Sequence, residues 1–280
     1  YNFFAVSLKR VAVIREFLTA MGLIAEEHEY RRTVTDAALM LNVMAGPDDC
    51  DPSSADERNI DYLADLNNGV AEWRVAYSPD LGYLPVDKEV AESVAKAAKT
   101  FEGLGAHVQE VDPGWGDPID MEHFFWTANF AGNLGPHLEQ WEEKMDPGLV
   151  LCIRDGADHS ASDYVQMKQR RLDYHARVLE FFENYDLLLT PSLSVAAFPV
   201  ERLIPEHWEQ HPWDWLRWAG FSYPFNLTWL PAATCPSGFT HDGLPVGLQI
   251  VGGHRQDKKV LQASRAFETA QPWAQRRPIE

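Results

Sequence analysis

Histidine, serine and carboxylate groups recur along this sequence, and the places to look for chemistry are those where they fall close together. His159 stands beside Ser160 with Asp163 three residues on, and His241 directly precedes Asp242. One arrangement that activates a serine for hydrolysis sets hydroxyl, imidazole and carboxylate in one hydrogen-bonded line. With 10 histidines and 42 acidic residues such neighbours arise easily by chance, and each pair has a plainer local role. Ser160 and Asp163 have the spacing of a capping box that opens a helix, with His159 in the loop before it. His241-Asp242-Gly243 has the composition of a turn between two strands. Glu142 with Glu143, and Glu180 with Glu183, fit the solvated face of a helix. No His-Glu-x-x-His run is present, and Cys50, Cys152 and Cys235 are far apart without Cys-x-x-Cys spacing. Neither a metal nor a cofactor is therefore expected. The cysteines suit core packing in a reducing compartment.

Two other residue types carry recognition rather than bond-making. Trp126 and Phe130 are one helical turn apart in an aromatic cluster with Phe124 and Phe125, a pattern that packs a helical layer or shapes a pocket. Asn226 lies in an apolar run, where a buried amide needs hydrogen-bond partners; the expectation is that it fastens neighbouring loops. Trp208, Trp213, Trp215 and Trp218 fall in a proline-punctuated stretch, residues 203–224, that reads as a lid or loop with a short helix.

The elements that must position these residues follow from period and punctuation. Residues 1–30 show neither and are read as irregular. Thr33 or Thr35 caps a helix carrying Ala37, Leu39, Met40, Leu41 and Val43, and Gly46 with Pro47 ends it. Trp73–Tyr77 alternates as a strand, Asp87 caps a helix through Val90, Val94, Ala97 and Phe101, and His107–Val111 is a second strand. That strand-helix-strand order predicts a parallel pair. A long helix runs from Ser160 to about Asn184, a buried strand covers Asp186–Thr190, and a last helix spans Lys258–Thr269. Phe225–Gly253 pairs small and apolar residues with Pro and Gly at each corner, predicting two buried strands at a sheet centre.

That late stretch also carries a resemblance. Asn226-Leu227-Thr228-Trp229-Leu230-Pro231-Ala232-Ala233, then Gly243-Leu244-Pro245-Val246-Gly247-Leu248-Gln249-Ile250-Val251-Gly252, is similar to the C-terminal signature of the amidase-signature family. Arg32–Leu41 with Asp51-Pro52-Ser53 behind it, and Tyr185–Ser192, agree in the same order. The resemblance implies hydrolysis of carboxamide C–N bonds by a Ser, a second Ser on a cis peptide and a Lys, with amides of a Gly/Ser-rich loop as oxyanion donors. It implies a mixed, mostly parallel central sheet flanked by helices, an α/β fold expected here as one domain over residues 1–280. Trp126, Phe130, Thr190 and Asn226 then approach a small-molecule amide substrate. No Gly-Gly-Ser-Ser-Gly run occurs, the only adjacent serines are Ser53-Ser54 in an acidic loop, and Lys9 has no partner loop. The expectation is a C-terminal portion whose catalytic residues lie on another segment or chain; the alternative is an inactive homologue serving as scaffold or partner subunit. Trp229 stands where the family often has Gly, and Ala219-Gly220 where its tRNA-linked branch tends to have an acid.

Composition bounds the partners. With 24 basic against 42 acidic residues the formal charge is −18, which repels phosphate backbones and anionic membranes. No apolar run is long enough to span a bilayer, so a soluble, cytoplasmic protein without nucleic-acid or membrane partners is expected. Apolar strand faces and edges left open by an absent segment predict a homo-oligomer or pairing with that segment.

Overall fold

The computed structural model describes residues 33–50, 54 and 59–273. The irregular reading of residues 1–30, Lys9 and Ser53 lie outside them. The described residues gather into two compact units, divided after Val70 and again after Val260.

In the first unit, helix α1 (Val34–Met44) opens on Thr33, whose hydroxyl accepts the Asp36 N–H while Asp36 returns the bond to the Thr33 N–H. Two of the helix's otherwise orphaned donors are thus met. The buried Glu268 carboxylate also accepts the Val34 N–H, at 3.3 Å to each oxygen. A negative charge there complements the positive end of the helix. Val34, Ala38, Tyr62, Leu66 and Leu261 form this unit's core.

The second unit is a five-stranded sheet with helices. Its strands are β1 (Arg74–Tyr77), β2 (His107–Glu110), β3 (Leu187–Pro191), β4 (Ala232–Phe239) and β5 (Pro245–Gly252), in the order β2-β1-β3-β5-β4. β1 pairs in parallel with β2 and β3, and β5 runs antiparallel between β3 and β4, so four of the five strands point one way. This is the mixed, mostly parallel α/β sheet that was expected. β3 is buried at every residue, as a central strand covered on both faces must be. Helix α2 (Lys88–Gly103) turns Val90, Val94, Ala97, Ala98 and Phe101 inward and packs against β2, β3, β4 and β5. Asp87 precedes it without capping it through its side chain; that carboxylate instead accepts from His207 Nε2 at 2.9 Å.

The late stretch departs from expectation in two ways. Phe225–Thr228 belongs to a short helix, α7 (Tyr223–Thr228), with Pro224 in its first turn and Thr228 Oγ1 donating to the Pro224 carbonyl at 2.6 Å. The two strands of the hairpin are β4 and β5, joined through Gly243 at φ +81°. β5 is buried, but β4 is the edge strand and only Cys235 on it is buried, so the hairpin does not lie at the centre of the described sheet.

The remaining helices are α3 (Ile119–Leu134), the one-turn α4 (Leu138–Trp141), α5 (Pro147–Ala157), α6 (Ala161–Phe181) and α8 (Asp257–Ala270). Ser160 and Asp163 form the expected capping box on α6. Cys152 and Cys235 are buried, whereas Cys50 is exposed and packs no core. Among the described residues no helix is long and apolar enough to cross a membrane.

Candidate functional site

Helices α3 and α5 lie against one another, and glycine sets how closely. A Cβ on Gly156 would stand 2.0 Å from the Thr127 carbonyl oxygen, so only a bare backbone allows this approach. At the start of α5 a Cβ on Gly148 would come within 2.6 Å of the Pro212 carbonyl, which fixes the Trp-rich loop there in the same way. Between α3, α5 and that loop is a pocket of about 130 Å³. Trp126 and Phe130 face it from α3, Leu149 and Cys152 from α5, and Trp213 and Trp215 from the loop.

Its walls are fixed by rings set edge to face. Trp126 lies 5.3 Å from Phe130 and 5.5 Å from Trp215, centroid to centroid, both pairs T-shaped. This is the geometry favoured by opposed ring quadrupoles. Trp213 Nε1 donates to Asp155 at 2.8 Å, and His123 Nε2 meets Asp214 Oδ1 at 3.0 Å, tying the loop to α5 and α3. Burial alone would raise the Asp214 carboxyl, but hydrogen bonds from His123 and from the Leu216 N–H bring it below the usual carboxylate range. Asp214 therefore anchors the loop as an anion.

The pocket's lining is mostly apolar, with Asp146 its one carboxylate. Its lining contains no serine, threonine or lysine, and its one thiol, Cys152, is pushed up to about 11 by burial and by the nearby Asp155 and Asp214. A thiol that stays protonated at neutral pH is not a nucleophile.

Of the four residues singled out from sequence, Trp126 and Phe130 meet in this pocket, while Thr190 and Asn226 are not among its lining residues. Thr190 is fully buried in β3, where its hydroxyl accepts from Gln249 Nε2 at 3.0 Å and donates to the Pro191 carbonyl at 2.8 Å. Gln249 also donates to the Phe221 carbonyl, so the pair joins β3 and β5 to the segment before α7. Asn226 is exposed rather than buried, and it is its backbone carbonyl that is used, accepting from Arg171 at 3.2 Å.

The proton-transfer pairs have structural partners. His159 Nε2 bonds Thr127 Oγ1 at 2.9 Å, and Ser160 donates to Asp163 within the cap. His241 Nδ1 meets Glu89 at 2.7 Å in the hairpin turn. Sequence reasoning passed over His207 and His211, four residues apart. They are not on a helix: His207 pairs with Asp87, and His211 Nδ1 accepts the Trp213 and Asp214 N–H groups. Among the described residues no group of three or more His, Cys, Asp or Glu is placed to hold a metal ion. Leu149, Cys152 and the loop tryptophans join this lining through long-range packing, which spacing in the sequence does not display, whereas Trp126 and Phe130 are one turn apart on α3.

A family model described as Amidase matches residues 5–261. An acylamidase of Rhodococcus erythropolis is 37% identical over 258 residues, covering 89% of this chain and 53% of that protein. An amidase of Pseudomonas putida is 30% identical over 258 residues, covering 88% of this chain and 53% of that protein. The crystal structure of a bacterial aryl acylamidase of the amidase-signature enzymes superposes with a TM-score of 0.76 at 30% identity, over 87% of this chain and 52% of that one. The chain spans about half the length of the curated relatives it matches.

Proposed function

This chain belongs to the amidase family, and from that membership we propose that it forms the substrate-binding half of a serine hydrolase cleaving carboxamides that carry an aromatic or bulky apolar group. The observation that carries this is the aromatic pocket: Trp126, Phe130 and Trp215 are locked edge to face around a mostly apolar space. Asp146, its one carboxylate, accepts the Leu149 N–H through Oδ1 at the start of α5. Similarity to an acylamidase and to an aryl acylamidase supports the same substrate class.

Trp126 and Phe130 contact the substrate in this reading. Thr190 fastens β3 to β5 through Gln249, and Asn226 is exposed. Acyl transfer requires a nucleophile, a base and oxyanion donors. Here the Ser, the second Ser and the Lys come from a segment or chain beyond these residues. Among the described residues nothing pairs with the outer edge of β4, a place for strands of that segment to add.

The test is turnover by the full-length protein of an anilide against acetamide, with Trp126→Ala alongside. Losing the ring is expected to cost the anilide about 2 kcal/mol of transition-state binding, roughly thirtyfold in kcat/KM, and acetamide far less. Equal losses on both substrates would count against the pocket assignment. A full-length protein inert toward every amide would favour the scaffold reading.

A further inference from the structure

The aromatic pocket has a charge as well as a shape. Trp126 stands at 69° to Phe130 and at 88° to Trp215, so adjoining walls meet close to a right angle, like the sides of a box, and Trp213 adds a further ring. The face of each ring carries the negative part of its quadrupole. A Cβ on Gly148 would stand 3.0 Å from Asp146 Oδ1 and 3.3 Å from the Trp213 Cβ, which places the carboxylate at the corner of the box beside Trp213. Oδ1 accepts the Leu149 N–H, while among the described residues Oδ2 takes no hydrogen bond and no ion pair.

Basic groups on the surrounding elements are already matched, and none of the lining residues is a lysine, arginine or histidine. Arg154 on α5 meets Glu142 at 2.7 Å, His123 on α3 meets Asp214, and His207 in the loop meets Asp87. His211 Nδ1 accepts two N–H groups and is therefore unprotonated at that nitrogen. Asp155, 2.8 Å from Trp213 Nε1, adds a second negative group at the indole edge, and the chain as a whole has a formal charge of −18. Aromatic walls, a carboxylate oxygen without a partner and the absence of a basic residue in the lining attract a cation whose own surface is apolar.

We infer that the group this pocket takes from the substrate is an alkylated ammonium, such as a trimethylammonio substituent. Its methyls pack against the rings as any bulky apolar group does, while its charge is drawn to the ring faces and to Asp146 Oδ2. A primary ammonium fits less well, because its N–H groups would give up water for a single carboxylate. This assignment rests on the pocket being the substrate's and narrows the class of carboxamide proposed above.

The test is calorimetric titration of the full-length protein, in low-salt buffer, with choline and with dimethylbutanol, its uncharged isostere. Choline is expected to bind about tenfold more tightly than the alcohol. Asp146→Asn keeps the cap on α5, since asparagine serves at that position as well as aspartate, and an unchanged circular dichroism spectrum checks the fold. The variant should weaken choline by about fivefold or more and affect the alcohol far less. Turnover then places the group on the substrate. Because a charge also alters the intrinsic reactivity of an anilide, the ratio of variant to wild type is compared: Asp146→Asn should lower kcat/KM by about fivefold for an anilide bearing a trimethylammonio group and far less for its tert-butyl counterpart. Absent choline binding, equal affinity for choline and the alcohol, or a choline preference untouched by Asp146→Asn would each overturn the inference. So would preferential choline binding with equal effects on the two anilides, which would make the pocket a site for a free cation. The assignment of the pocket to the substrate fails on a different result, equal losses of anilide and acetamide turnover in Trp126→Ala, so the two failures are distinct.

Discussion

Trp229 holds φ at +55°, a region that a bulky side chain leaves unless its surroundings keep it there, and Arg171 supplies the restraint. The buried guanidinium donates to the Leu227 carbonyl at 2.6 Å and the Asn226 carbonyl at 3.2 Å, and sits 3.8 Å from the Trp229 ring centroid. Its pKa is lowered to about 10 by burial, so it is still charged at neutral pH and complements the negative end of α7. Arg171→Met is therefore expected to cost about 3 kcal/mol in urea unfolding, since it strands two carbonyls and removes the stacked cation. Trp229→Gly loses the stack but relieves the left-handed strain, and a net change within about 1 kcal/mol is expected. If the glycine variant proved as unstable as Arg171→Met, the indole rather than the carbonyls would be the main partner. Glu122, on the first turn of α3, titrates differently: burial pushes its carboxyl up to about 7, against a lowering by His123. A folded-state pKa above the unfolded 4.5 means that its favourable contribution is fully present below pH 4.5 and is lost as pH rises through 7. Glu122→Gln should match wild type near pH 4.5 and exceed it at pH 8, by on the order of 2 kcal/mol. Unfolding curves at the two pH values that ran parallel would refute this.

Between elements, the β4–β5 turn is tied to the start of α2 by one charged contact. Glu89 accepts the His241 N–H at 3.0 Å and meets the ring at 2.7 Å. Hydrogen bonding to Glu89, with Asp242 adding, raises the pKa of His241, and the same bonds lower that of Glu89. The histidine's share is whole below its unfolded value of 6.5 and disappears as pH climbs through the raised folded value. The glutamate's share is whole above its unfolded 4.5 and disappears as pH falls through the lowered one. A Tm difference between wild type and His241→Gln should therefore peak between pH 4.5 and 6.5 and fade in alkaline buffer; a difference constant from pH 5 to 9 would mean the ring acts by packing. Elements of this kind were largely legible. The capping box at Ser160 and the face of α2 were set by local spacing, which a sequence displays directly, whereas for α1 the sequence left Thr33 and Thr35 both open as the cap and the structure selects Thr33. Phe225–Thr228 was not legible, because a short apolar run has no period to separate strand from helix, and the Pro224 turn with the Arg171 contacts decided for helix. The same limit hid the loop half of the aromatic pocket: Trp126 and Phe130 share a helix face, but Trp213 and Trp215 reach it from a distant part of the chain.

Strand order is a property of the larger assembly of elements, and it is where the hairpin was misplaced. Gly and Pro at its corners and the buried β5 read as a sheet centre, but which strand lies outermost depends on pairings far apart in sequence. β4 alternates exposed Ala232 and Thr234 with half-buried Ala233, and among the described residues its outer edge meets no strand. Pro236 and the irregularity at Pro236–Gly238 blunt the far half of this edge, but its first half, Ala232–Cys235, carries no charge and is a template for another strand. Large apolar side chains are also open on the helices of the same unit: Val165 and Leu172 on α6 are 67% and 52% exposed. Sedimentation of the 280-residue chain should accordingly show self-association or loss to precipitate rather than a stable monomer. Thr234→Lys, which places a charge on that edge, should shift the population toward monomer without altering the far-UV circular dichroism. Its partner across the sheet is Gln249, and its hydroxyl only accepts from Ser192 at 3.2 Å, so the substitution removes little that holds the sheet together. A monodisperse monomer before any substitution would show that the β4 edge is already satisfied, and the proposed addition of strands there would have to be abandoned.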